Sequence, residues 1–191
     1  MLAAGCLLAL PHLAAAQASS SDVMRFYKNG GAEIGINRTT MAPGGSVAIT
    51  PLYGLVGGVF VFVPIGGSAL AFEFEAVVAR KGASFSDGTT SNSFRATYIE
   101  VPLVARITLP GSDRIRPFVT FGPVVATMIT DSVNKASSGY DLGVSAGGGV
   151  IAGQLMFAVR YTRGLKGIDL VIDNKNLTNR SVAVTVGYLV R

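Results

Sequence analysis

The chain has 191 residues, 49% of them hydrophobic and only 14% charged, with a net charge of +5 and 24 glycines. Soluble domains average about 25% charged residues, so a large water-facing surface is excluded, and glycine at about 1 kcal/mol each opposes long helices. The apolar content excludes disorder, the single cysteine excludes a disulfide framework, and the length allows one domain.

Residues 1–18, MLAAGCLLALPHLAAAQA, carry no charged side chain. Leu2 to Leu10 has the length of a signal-peptide apolar core, and Ala16-Gln17-Ala18 is a small-x-small cleavage pattern. The expectation is a signal peptide over 1–18 and an exported protein. A basic n-region is missing, which fits a start codon upstream of Met1. Ala3-Ala4-Gly5-Cys6 also reads as a lipoprotein box, but almost no apolar core precedes Cys6. Pro11 argues against a buried helix. Cys6 and His12 are the only Cys and His in the sequence. Their removal would leave no thiol nucleophile, imidazole base or soft metal ligand. Gly147-Gly148-Gly149 lacks the Lys-Ser/Thr of a phosphate loop. No catalytic residue, cofactor or metal is expected.

Eight segments with a period of two follow, the pattern of half-buried strands. Ala32 to Thr40 sets Ile34 and Ile36 against Glu33, Gly35 and Asn37. Pro51 to Pro64 is apolar on both faces and leaves its register open. Leu70 to Lys81 sets Leu70, Phe72, Phe74, Ala76 and Val78 against Glu73, Glu75, Val77, Ala79 and Lys81. Around Tyr98, Ile99, Val101, Leu103, Ala105 and Ile107 oppose Tyr98, Glu100, Pro102, Val104 and Arg106. Arg116 to Thr130 sets Val119, Phe121, Val125 and Ile129 against Thr120, Gly122 and Ala126. Asp141 to Ile151 sets Leu142, Val144, Ala146 and Val150 against Gly143, Ser145, Gly147 and Gly149. Leu155, Phe157, Val159 and Tyr161 oppose Gln154, Met156, Ala158, Arg160 and Thr162. Last, Val182, Val184, Val186, Tyr188 and Val190 oppose Ser181, Ala183, Thr185, Gly187 and Leu189.

The connections alternate in length. Met41 to Thr50, Gly82 to Asn92, Asp131 to Tyr140 and Arg163 to Asn179 are long and polar. Short turns fall at 65–68, 110–113 and 152–153. Long loops at one end and tight turns at the other are the arrangement of an outer-membrane barrel with periplasmic termini. The expected architecture is all-β: an eight-stranded antiparallel up-and-down transmembrane barrel over 31–191, after a short periplasmic segment at 19–30.

Alternation alone does not say which face looks outward. Charge supply does: a soluble lipocalin-like barrel needs Lys, Glu and Asp on its outer face, and these strands offer too few. A transmembrane helix would have to lie between Arg38 and Glu73, where Pro43, Pro51 and Pro64 interrupt it. The bulky apolar face is expected to meet lipid.

The ordered segments Glu75-Ala-Val-Val-Ala-Arg-Lys-Gly-Ala83, Tyr98-Ile-Glu-Val-Pro-Leu-Val-Ala-Arg106, Phe121-Gly-Pro-Val-Val125 and Val159-Arg-Tyr-Thr-Arg-Gly-Leu165 resemble the PorT-type outer-membrane β-barrel family. So do Asp141-Leu-Gly143 and Asn179 to Leu189. The resemblance spans nearly the whole chain after residue 18. It implies an integral outer-membrane protein of a diderm bacterium, related in architecture to the OmpA transmembrane domain. A secretion role does not transfer on shape alone. Such barrels usually end in an aromatic residue read by the insertion machinery. This chain ends Tyr188-Leu189-Val190-Arg191, so Gly187, Tyr188 and Val190 are the candidate insertion signal. With no Trp, the aromatic girdle falls to Tyr98, Tyr161, Tyr188 and several Phe.

The chemistry left is a set of inward charges: Glu33, Glu73, Glu75, Lys81, Glu100, Arg106 and Arg160. An eight-stranded barrel is just wide enough for side chains to fill it, so these charges should pair across the lumen. Glu100 is expected to serve Arg106 or Arg160. A salt-bridged plug is one reading, a gate for small ions or solutes another; acid/base work by Glu73 and Glu75 lacks a pocket.

Arg114 and Arg116 fall in a periplasmic turn. Arg163, Lys166, Lys175 and Arg180 line the last long loop, with Asp169 and Asp173 among them. Contact with anionic lipid headgroups suits this spread, and no concentrated basic patch with stacking aromatics suggests nucleic acid. Asn176-Leu-Thr178 has the form of a glycosylation sequon, accidental in a bacterial protein. The expected partners are outer-membrane lipids and the insertion machinery, with an unspecified surface-loop partner and a monomeric barrel. Three functions stay open: a plugged barrel acting structurally or through its loops, a narrow gated pore, and a soluble periplasmic binder of apolar ligands.

Overall fold

In the computed structural model the strands follow one another around a closed ring, each antiparallel to its neighbours, with β1 pairing β8. Residues 30–42, 48–86, 91–112, 114–131, 140–165 and 178–190 are described. The segment read as a signal peptide lies outside them, as do 19–29, Lys166, Asp169, Asp173, Lys175 and Asn176. The strands are β1 (Gly31–Ala42), β2 (Ala48–Pro64), β3 (Leu70–Ser86), β4 (Ser91–Thr108), β5 (Ile115–Asp131), β6 (Tyr140–Ala152), β7 (Leu155–Gly164) and β8 (Thr178–Leu189). Among the described residues there is no helix.

The two faces are those the alternation predicts. Ile34, Phe72, Phe121, Val159 and Val184 point outward and are exposed, while Glu33, Glu73, Glu75, Glu100 and Arg106 point inward and are buried. Such an apolar outer belt is stable only in lipid, where closure of the ring also satisfies every strand edge.

β2 is the strand whose register the sequence leaves open. Tyr53, Leu55, Val59, Val61 and Val63 face out, and Val56, Phe60 and Phe62 face in. Both faces are apolar because this part of the lumen is filled by rings rather than charges. A register shift against β3 between Pro51 and Val56 breaks the periodicity as well.

The long loops are shorter than expected. Strands run into the polar segments, leaving connections at 43–47, 87–90, 132–139 and 165–177. The expected loop 82–92 is mostly hairpin: Ser84 pairs with Ser93 and Ser86 with Ser91, and the Ser93 hydroxyl lies 3.2 Å from that of Ser84. Polarity here marks departure from the hydrocarbon, not the end of the strand: Ser84 and Ser93 lie outward, while Ala83 and Phe94 still pack inside. Arg163 and Arg180 likewise belong to β7 and β8 rather than a loop. At the other end the connections are 65–69, 109–114 and 153–154. Gly153, with φ +65°, allows the two-residue turn. Gln154, expected on β7, lies in that turn, and its Nε2 donates to the Leu189 carbonyl at 3.3 Å.

Candidate functional site

The alternation puts all seven selected charges into one lumen. Glu33 comes from β1, Glu73, Glu75 and Lys81 from β3, Glu100 and Arg106 from β4, and Arg160 from β7. All are buried except Arg160, which is half-buried. They form three tiers.

Nearest the turn end, Arg106 grips Glu73. Its Nε donates to Oε2 at 2.7 Å and its Nη2 to Oε1 at 2.8 Å, a bidentate charge-assisted pair. In the register Glu73 faces Val104, so Arg106 is its diagonal neighbour on the same face. The guanidinium lies 3.7 Å from the centroid of Phe118 and 4.7 Å from that of Phe62. Nη2 also donates to Met156 Sδ at 3.4 Å. Phe60, Phe62, Ala71, Phe118, Ile151, Met156, Ala158 and Leu189 pack as one apolar cluster in this part of the lumen. Gly149 makes room for it, since a Cβ there would stand 2.8 Å from Phe118 Cζ.

The middle tier crosses the barrel. Arg160 Nη2 donates to Glu75 Oε1 at 2.8 Å, stands 2.6 Å from Oε2, and lies 3.5 Å from Glu33 Oε1. Thr185 Oγ1 donates to Glu33 Oε2 at 2.9 Å. β3 and β7 lie four places apart in a ring of eight, so the Arg160–Glu75 bridge spans the lumen.

Toward the loop end, Lys81 pairs with Glu100, and its ammonium lies 5.7 Å from the Tyr98 ring centroid. Phe94 and Tyr98 pack with Ala83, Ala96 and Ala126 here, and short polar groups join the inward face: Asn37, Thr39, Ser145, Asn179 and Ser181 are buried. A cavity of about 10 Å³ beside Lys81, Glu100, Thr162 and Asn179 is the size of one water.

Two expectations are corrected. Glu100 serves neither Arg106 nor Arg160: it faces Val77, four residues from Lys81 on β3, whereas Arg106 lies six residues farther toward the turn end of β4. And only Arg160 pairs across the lumen, because Arg106 and Lys81 reach a carboxylate on the adjacent strand first. Sequence reasoning also missed the rings. Phe118 shares the inward parity of Thr120 and Gly122, a signal present in the alternation, whereas Phe60 and Phe62 were hidden by the ambiguous register of β2.

The sequence profile of the outer membrane protein beta-barrel domain family matches residues 5–189. The chain belongs to this family. It is an outer-membrane β-barrel, and its exposed apolar belt is the lipid-facing surface. No curated protein matches the sequence. Solved structures similar to this barrel include Neisserial surface protein A, at 12% identity and a TM-score of 0.48, covering 83% of this chain and 96% of that one. The outer membrane enzyme PagL is similar at 15% identity and 0.48, covering 82% and 99%. Ail, the attachment invasion locus protein of Yersinia pestis, is similar at 10% and 0.43, covering 84% and 97%.

At the C-terminal end of the barrel, Gly187 faces the lumen, where a Cβ would meet Met156 Cε at 3.0 Å. Tyr188 and Val190 face outward and are exposed, and the Val190 N–H donates to the Gly30 carbonyl at 2.9 Å.

Proposed function

We propose that this outer-membrane barrel is closed by its own side chains and acts through its loop end rather than as a conduit. The observation that carries the reading is the Arg160–Glu75 bridge across the lumen, set above a tier of phenylalanines around Arg106 and Glu73. Both put side chains across the lumen, which supports a closed rather than an open conduit. The loop end is read as extracellular, because the connections 132–139 and 165–177 and the protruding β3–β4 hairpin all lie there. The finer resemblance to PorT-type barrels belongs to the same proposal. It is supported by Glu100-Val-Pro-Leu103 and Phe121-Gly-Pro123 lying on neighbouring strands, with Pro102 opposite Val124. The role is non-catalytic, since the lumen carboxylates named here are all engaged by cations. Gly187, Tyr188 and Val190 are proposed as the segment the insertion machinery reads, and the barrel as a monomer.

Planar-bilayer recording on the purified full chain tests the closed lumen. Silence across salt and voltage is expected of the wild type, with brief openings in a Glu75→Ala, Arg160→Ala double variant. Steady unit conductance from the wild type would sink the reading. It would instead favour a gated pore, for which the sharing of Arg160 between Glu75 and Glu33 offers a re-pairing step.

A further inference from the structure

The lumen consumes every described glutamate, and the outer face shows the complement. Arg38 on β1, Arg80 on β3, Arg95 on β4, Arg163 on β7 and Arg180 on β8 all occupy outward positions in the loop-end half of their strands. Among outward residues whose side chains are described there is no carboxylate and no lysine. Arg163 and Arg180 stand directly opposite each other in the β7–β8 register, where like charges repel. Arg38 and Arg80 have no carboxylate within ion-pair distance among the described residues. At the turn end the outer face of the described strands carries no arginine: Arg114 lies in the turn before β5, and Arg116 shares the inward parity of Phe118.

This girdle has a focal point. Where β2 bulges away from β3 between Pro51 and Val56, the wall carries a cavity of about 520 Å³. Arg80 and Arg95 line it beside Ile36, Tyr53 and Leu55. Two guanidiniums next to an apolar bed, at the edge of a lipid-facing belt, fit a molecule with an anionic head and hydrocarbon tails. The uniform choice of arginine is informative. Guanidinium presents a planar fork matched to phosphate oxygens, which the ammonium of lysine does not.

We propose that the outward arginines bind the phosphorylated headgroup of an outer-leaflet lipid, with the cavity flanked by Arg80 and Arg95 as the principal site. The site rests on the loop end facing the outer leaflet and is independent of whether the lumen is closed. Arg38 lies near that cavity, because it faces Tyr53 across the β1–β2 register. Arg163 and Arg180 provide a second contact on the β7–β8 side, where a shared phosphate would relieve their repulsion.

The test uses the full chain in neutral detergent, titrated with a bis-phosphorylated glucosamine lipid, its dephosphorylated counterpart, or inorganic phosphate. Arg38→Gln, Arg80→Gln and Arg95→Gln are combined in one variant, and a heat-shifted gel band shows that it folds. With about 1 kcal/mol per basic residue near an anionic surface, the triple variant should bind the phosphorylated lipid about a hundredfold more weakly. Wild-type binding should weaken with salt and be nearly absent for the dephosphorylated lipid. Equal binding of both lipids, or equal binding by wild type and variant, overturns the proposal. Complete displacement by inorganic phosphate alone also overturns it, assigning the arginines to a soluble anion. Impermeant labelling of Ser93→Cys on intact cells reports the orientation separately, so a wrong orientation is told apart from a failed site.

Discussion

At the turn end of the lumen Arg106 is 1% exposed, held by two hydrogen bonds to Glu73 and by the rings of Phe62 and Phe118. At the loop end Lys81 and Glu100 line a water-sized cavity together with Asp141, Thr162 and Asn179. The first environment is dry and fixes its ions by geometry, whereas the second offers hydroxyls, amides and room for water. A buried charge costs several kcal/mol unless paired. The difference lies in what happens when the partner is taken away: Arg106 has nowhere to turn, and Lys81 does.

Glu73→Ala should therefore produce the largest effect. It strands the Arg106 guanidinium in an apolar cluster, for a loss of about 3–5 kcal/mol. Urea titration followed by loss of the compact unboiled band on SDS gels measures it. A loss below 1 kcal/mol would mean that water reaches Arg106 and that the two ends do not differ.

Glu75→Gln should come second. It removes the 2.6 Å and 2.8 Å contacts to Arg160, but Glu33 remains 3.5 Å away as a replacement partner. The expected loss is about 1.5–3 kcal/mol, the range for a hydrogen bond to a charged group. Adding Glu33→Gln should then cost more than Glu33→Gln alone, and strict additivity would show that Arg160 does not switch.

Glu100→Ala should cost less again, about 1–2 kcal/mol, since short polar groups can take over part of the solvation of Lys81. The paired replacement Lys81→Met with Glu100→Leu should fall within about 1 kcal/mol of wild type, as expected when both members of a buried ion pair go together. A double variant worse than Glu100→Ala would show that the pair itself, and not the orphaned charge, carries the stability.

What the sequence reveals of this comparison depends on period two. The faces of β1, β3, β4, β7 and β8 are legible because one face is bulky and apolar while the other carries Glu, Arg or small residues. β2 is not, since Phe60 and Phe62 make its inward face as apolar as its outward one, and the bulge near Pro51 shifts the phase. The membership of the charge network follows from parity alone. The pairing does not, because it needs the register between strands: Glu100 and Arg106 share a face of one strand, yet serve Lys81 and Glu73 at different levels. The segment 82–92 looks like a loop in the sequence because its polarity marks the end of the lipid and not the end of a strand.

The outer face turns the same logic around, and there the expected effect is smallest. Arg163 and Arg180 oppose each other at outward positions of β7 and β8. In neutral detergent Arg163→Gln should stabilise the barrel, by about 0.2–1 kcal/mol for removing a like-charge cross-strand pair. With a phosphorylated lipid present the sign should reverse, because the wild type then gains an anion that neutralises both guanidiniums. Inside the barrel, deleting one ion of a pair always costs. Outside, deleting one of two like ions gains or costs according to what the membrane supplies. Unfolding midpoints of wild type and variant, each measured with and without the lipid, decide the matter. A variant that is less stable in both conditions would mean that Arg163 and Arg180 are held apart by contacts of their own and do not repel.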